Sequence, residues 1–142
     1  MYLRKSEMMR LRVLHIPVVG ALALAFGATL PVAAQGDGLA MLGNLAKGEW
    51  TIKPRDGSGE RKICLRTGEE LIQLRHEARD CNRFVVEDQP SEVTVQYTCP
   101  GDGYGMTSIR RETNALVQID SQGIASGLPF EFSAEARLTG AC

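Results

Sequence analysis

Apolar and polar side chains alternate along much of the second half of this chain. From Phe130 to Leu138, the residues Phe130, Phe132, Ala134, Ala136 and Leu138 fall on one side, and Glu131, Ser133, Glu135 and Arg137 on the other. A period of two marks a half-buried β-strand. Burying two Phe and one Leu contributes roughly 5–9 kcal/mol before entropy, so this strand is expected to cover a core. The same period runs through Ser91 to Cys99, with Val93, Val95, Tyr97 and Cys99 facing one way. Upstream, Cys81 to Glu87 carries Phe84, Val85 and Val86, and Gln89-Pro90-Ser91 separates the two runs. Pro90 has no amide to give a ladder, so it belongs in the turn of a hairpin.

A register in which Val85 faces Val95 and Arg83 faces Tyr97 also sets Cys81 opposite Cys99. Opposed Cβ atoms lie about 4.5–5.5 Å apart, and the closer non-hydrogen-bonded pairs come within disulfide reach. A slip of one residue would send the cysteines to opposite faces, so a bridge selects this register.

Further strands are expected at Glu49 to Lys53, with Trp50 and Ile52 on one face, and at Arg61 to Arg66. Tyr104 to Glu112 and Leu116 to Asp120 form another pair around Thr113-Asn114, and Ser121 to Gly127 reads as a glycine-bearing loop. Gly57-Ser58-Gly59 and Gly101-Asp102-Gly103-Tyr104-Gly105 read as turns, because neither opens a helix with a phosphate-binding pattern. Thr67-Gly68-Glu69-Glu70 has the form of a capping box, and Leu71, Ile72 and Leu74 supply an apolar stripe. That predicts one helix over about Gly68 to Glu77. Leu39, Met41, Leu42 and Leu45 have helical spacing, but two nearby glycines reduce the segment to a short helix or a lead-in. Seven short strands imply an all-β fold, an antiparallel meander forming a small open barrel or two-layer sandwich, with one short helix packed on it after the second strand.

The amino terminus follows a different rule. Arg4, Lys5, Arg10 and Arg12 precede the apolar stretch Val13 to Leu30, and Val32 and Ala34 place small residues before Gln35. This is the layout of a secretory signal peptide over residues 1–34, cleaved at Ala34-Gln35. The competing reading, an uncleaved anchor, is disfavoured by Pro17, Gly20 and the small-residue exit. Residues 35–47 form the lead-in and 48–142 the disulfide-stapled domain. With the leader go four of 16 basic and one of 17 acidic residues, leaving 12 against 16, a net charge of −4. Such a chain has no electrostatic footprint for nucleic acid and no basic patch for stable membrane association.

All four cysteines lie beyond the leader, and an even count in a small exported chain reads as two disulfides. Intervals of 16, 17 and 42 residues contain no close Cys pair of the kind zinc requires, so no metal or other cofactor is expected. Four cysteines allow three connectivities; in the one that pairs Cys81 with Cys99, Cys64 remains for Cys142, although Cys64 has the opposite parity to Ile63 and Leu65 and Cys142 has the parity of the apolar face of its strand. Gly140 is the place where that alternation could break.

Gly48-Glu49-Trp50, Ile63-Cys64-Leu65, the Cys81 and Cys99 pair and the terminal Gly140-Ala141-Cys142 together resemble domain-of-unknown-function family 3617, small exported bacterial proteins. The resemblance spans Gly48 to Cys142 and implies an envelope or periplasmic location and four structural cysteines. It implies no catalytic residue.

His76 is the only histidine beyond the leader, and the helix end or surface is its ordinary place. Without a nucleophile elbow nearby, a small hydrolase using His76 as base is the secondary reading. The leading expectation is a non-catalytic exported protein, periplasmic or extracellular, serving as a structural or binding module for an envelope protein or an apolar small molecule. Trp50, Phe130 and Phe132 on the sheet, with Tyr104 at its mouth, are the candidate ligand contacts.

Overall fold

The computed structural model describes residues 39–76 and 80–142. The expected signal peptide, residues 35–38 of the lead-in and residue 77 of the expected helix lie outside the described residues. Seven strands form one open antiparallel sheet: β1 (Gly48–Pro54), β2 (Arg61–Leu65), β3 (Asn82–Asp88), β4 (Glu92–Cys99), β5 (Gly103–Thr113), β6 (Leu116–Ala125) and β7 (Leu128–Gly140). Their order is β2-β1-β7-β6-β5-β4-β3. Strands β3 to β7 make the expected meander, but β1 returns to pair with β7. The β2–β3 connection therefore links opposite edges of the sheet. The sheet is neither closed into a barrel nor split into two layers.

One face carries the core. Trp50, Ile52, Val93, Val95, Tyr97, Ile109, Val117, Ile119, Ala134 and Ala136 are buried at alternate positions along their strands. They belong to one cluster with Leu39, Met41, Leu42 and Leu45 of the lead-in and with Leu71, Ile72 and Leu74 of the β2–β3 connection. A sheet with one apolar face must cover that face, and here two short segments do so. The lead-in holds a single turn of helix, α1 (Ala40–Gly43). It is fixed by Ala46 N donating to Asn114 O at 2.8 Å and by the Trp50 indole Nε1 donating to Ala46 O at 2.9 Å.

The helix expected over Gly68 to Glu77 is a 3₁₀ turn at Glu69–Leu71 followed by further turns. Tertiary hydrogen bonds account for the difference. The Ile72 carbonyl, which an α-helix would offer to the His76 amide, accepts instead from Thr107 Oγ1 at 2.6 Å. The His76 amide donates to Gln73 O at 2.9 Å, and Arg61 Nη2 donates to Leu74 O at 3.0 Å. Glu70 does reach back to the Thr67 amide at 3.1 Å, as a capping box requires, and also takes the amides of Arg66 at 3.0 Å and Gly68 at 2.8 Å. Thr67 Oγ1, however, accepts from the Glu69 amide at 3.2 Å rather than from Glu70.

The Ser121 to Gly127 loop is also corrected. β6 continues to Ala125 and pairs with both neighbours, so the loop shrinks to Ser126-Gly127 between the paired Ala125 and Leu128. Both turn residues have positive φ, 50° and 79°, the backbone of a tight type I′ hairpin. Asp102 Oδ1 accepts from the Ser126 hydroxyl at 3.0 Å, which helps hold a non-glycine residue there.

The hairpin β3–β4 has the expected register from Asn82↔Thr98 to Val85↔Val95, after which Val86 bulges out. Both expected disulfides are present, Cys81–Cys99 with Cα atoms 4.2 Å apart and Cys64–Cys142 at 5.6 Å. The parity conflict at Cys142 is resolved by a second bulge. Trp50 pairs with Leu138 but Glu49 pairs with Gly140, so Thr139 is an extra residue in β7. The alternation flips there, Gly140 joins the face of Glu49, and Glu49 is the residue opposite Cys64.

Candidate functional site

The four expected ligand contacts do not converge. Trp50 is fully buried beneath the lead-in, and Phe132 is 9% exposed within the core. Tyr104 lies on the open face of the sheet and is half exposed. Phe130 is partly buried, with the Arg75 guanidinium 5.6 Å from its ring centre. The apolar cup expected around Trp50, Phe130 and Phe132 is thus filled by the chain's own side chains, because the lead-in and the β2–β3 connection occupy it.

His76 is neither at a helix end nor on the surface; it is 1% exposed. Its Nε2 faces the Ile124 carbonyl at 3.0 Å, and a carbonyl can only accept, so that nitrogen carries the proton. Its Nδ1 lies 3.2 Å from the Tyr97 hydroxyl, which donates to it. Burial raises the Tyr97 pKa above its ordinary value, against the opposing hydrogen bonds from the Ser121 and Thr107 hydroxyls and the positive Arg75, so the phenol keeps the proton it donates. Beside this pair, Thr107 Oγ1 and Ser121 Oγ are 2.7 Å apart. Among the described residues no buried side-chain nitrogen or oxygen lacks a partner. Both nitrogens of His76 are thus engaged within the protein, away from solvent. This buried polar node ties the β2–β3 connection to β4, β5 and β6.

Tyr97 fits because Gly105, its register partner on β5, has no side chain. A Cβ at Gly105 would stand 2.4 Å from both Cζ and Oη of Tyr97. Gly105 in turn faces Gly123 on β6, so the sheet carries two adjoining bare positions here.

Over that thin region lies a groove of about 410 Å³, lined by Gln96, Tyr104, Met106, Gln122 and Phe130 with the two glycines. Gln96, Met106 and Gln122 are opposed across β4, β5 and β6, forming one transverse row on the open face. A second groove of about 230 Å³ shares Met106 and Gln122 and adds Thr94, Ser108, Asp120 and Ser133. Those four form the adjacent row, joined by Thr94 Oγ1 donating to Ser108 Oγ at 3.2 Å and Ser133 Oγ donating to Asp120 Oδ1 at 2.5 Å. Tyr104 and Phe130 both line the first groove, but from opposite faces: Tyr104 stands on the open face, while Phe130 has the parity of Phe132 and its ring lies 5.9 Å from that of His76 on the covered face. Met106 could have been added from its alternation with Tyr104, whereas Gln122 was hidden in a segment read as loop.

No group of three or more His, Cys, Asp or Glu side chains that could hold a metal ion occurs among the described residues. No described helix is long and apolar enough to cross a membrane. No protein-family model, curated protein or solved structure matches this chain.

Proposed function

We propose that this chain is an exported, non-catalytic module of the cell envelope that binds through the open face of its sheet. The observation that carries the reading is the division between the two faces. The apolar face is filled by the protein's own lead-in and β2–β3 connection, while Tyr104 and Met106 stay exposed beside Gln96 and Gln122. An aromatic ring and a thioether flanked by side-chain amides suit an amphipathic small molecule, its apolar part on Tyr104 and Met106 and its hydroxyls on the amides. Two disulfides fit an oxidising compartment. The charged start and apolar stretch of the amino terminus, and the resemblance to domain-of-unknown-function family 3617, support export to the envelope.

The test is an amide-resolved NMR titration of the oxidised protein with octyl glucoside below its micellar concentration, with glucose and octanoate as separate arms. Octyl glucoside is expected to shift Gln96, Tyr104, Met106 and Gln122, and the shifts are expected to vanish in a Tyr104→Ala, Met106→Ala variant. Shifts confined to residues 39–47 would place the ligand on the other face and overturn the proposal, as would no shift in any arm.

A further inference from the structure

We propose that two copies of this chain associate through β3, antiparallel across a two-fold axis near Val85, so that one sheet continues into the other. Among the described residues, strand β3 ends the sheet and has β4 as its only strand neighbour. All seven of its residues are exposed, including three consecutive apolar ones: Phe84 at 68%, Val85 at 45% and Val86 at 53%. Natural edge strands are kept short, charged or covered, because their free amides and carbonyls template further pairing. The opposite edge follows that rule. β2 has five residues, carries Lys62, ends on the buried Leu65 and is stapled through Cys64 to the chain terminus. The apolar centre of β3 is flanked by charged residues and broken by the bulge at Val86, but the strand is longer than β2 and exposed throughout.

Backbone direction and charge then select the second copy as the occupant. The 4.2 Å Cα separation of Cys81 and Cys99 marks a narrow, non-hydrogen-bonded pair. By the alternation of an antiparallel ladder, Arg83 and Val85 direct their amides and carbonyls away from β4, toward the free edge. The strand is also polar along its length, with Arg83, which also pairs with Glu69 at 2.7 Å, at one end and Glu87 and Asp88 at the other. Antiparallel self-pairing sets the basic end of each copy beside the acidic end of the other; parallel pairing would set like against like. The interface is isologous and closes at two copies, since each copy contributes its one β3 edge. The bulge at Val86 shortens the usable ladder, so the association is reversible and concentration-dependent.

Sedimentation velocity on the oxidised protein, over a concentration series, tests this. The expected result is a monomer that passes to a dimer, and no further, as concentration rises. Val85→Pro removes an edge-facing amide without taking a bond from the β4 ladder, and is expected to abolish the dimer. Because proline could disturb the strand itself, Glu87→Lys with Asp88→Lys provides a second arm. It leaves Arg83 in place, sets like charges together and is expected to weaken dimerisation by roughly tenfold or more at low salt, with the melting temperature of the dilute monomer unchanged. The proposal is overturned if the protein stays monomeric at every concentration. It is equally overturned if the dimer survives both variants.

Discussion

Replacing Gly105 by alanine adds one methyl group, and its effect can be worked from distances. The new Cβ would lie 2.4 Å from Cζ and Oη of Tyr97 and 2.8 Å from Cε1, where ordinary contact is 3.4–4 Å. The tyrosine ring must therefore retreat by about 1 Å, into a core where its neighbours are already packed. Overpacking of this kind costs about 1–3 kcal/mol. The retreat also strips the 3.2 Å hydrogen bond from His76 Nδ1, leaving a buried ring nitrogen without its partner for about 1–3 kcal/mol more. The expected loss is about 2–6 kcal/mol, visible as a drop in Tm of roughly 10 °C or more. Urea unfolding of the oxidised protein, followed by the fluorescence of its single, buried Trp50, measures it directly. Two further variants make the cause specific. Tyr97→Phe keeps the ring carbon that clashes, so Gly105→Ala should remain costly in that background; Tyr97→Ala empties the space, so there the added methyl should cost almost nothing. A Gly105→Ala protein within about 0.5 kcal/mol of the parent, or an equal penalty in the Tyr97→Ala background, would refute the packing argument.

Three further outcomes follow from the same structure. His76→Ala should lower stability by about 2–4 kcal/mol in urea unfolding, because it removes the buried hydrogen bonds to the Tyr97 hydroxyl and the Ile124 carbonyl; an unchanged midpoint would mean the node is not structural. At Glu70, burial pushes the carboxyl pKa up, but hydrogen bonds from the backbone amides of Thr67, Arg66 and Gly68 outweigh it and hold the value below the ordinary 4.5. A lowered folded-state pKa gives stability that is present above the unfolded value and lost as pH falls through the folded one. The melting temperature should thus fall below pH 4.5 in the parent and less steeply in Glu70→Gln, and parallel pH curves would contradict the assignment. Removing the Cys64–Cys142 bridge by paired serine substitutions should cost about 4.5 kcal/mol, against about 3 kcal/mol for Cys81–Cys99, if chain entropy dominates; the reverse order in urea midpoints would show that it does not.

The strands and the disulfides were legible in the residues themselves because both rest on local rules. A period of two puts Val93, Val95 and Tyr97 on one face whatever lies beyond the hairpin, and the same rule set Cys81 opposite Cys99. Other features depended on groups distant in the chain. The capping box and apolar stripe after Thr67 describe an acceptable helix, yet Thr107 takes the Ile72 carbonyl and the segment closes as turns. His76 looked like a helix-end residue until Tyr97 and Ile124 claimed its two nitrogens. The second half of β6 was hidden by Gln122 and Gly123, whose polarity and small size suit a loop but also suit the open face and thin centre of a sheet.

The sequence by itself determined which residues alternate and which two runs form the Cys81–Cys99 hairpin, because these follow from backbone geometry over a few residues. Only the tertiary structure decided that β1 docks on β7, that the apolar face is filled from within, and that Tyr104 shares its groove with Phe130 rather than with Trp50. Those outcomes depend on which long-range contacts can form together, and no local pattern of side chains encodes that competition.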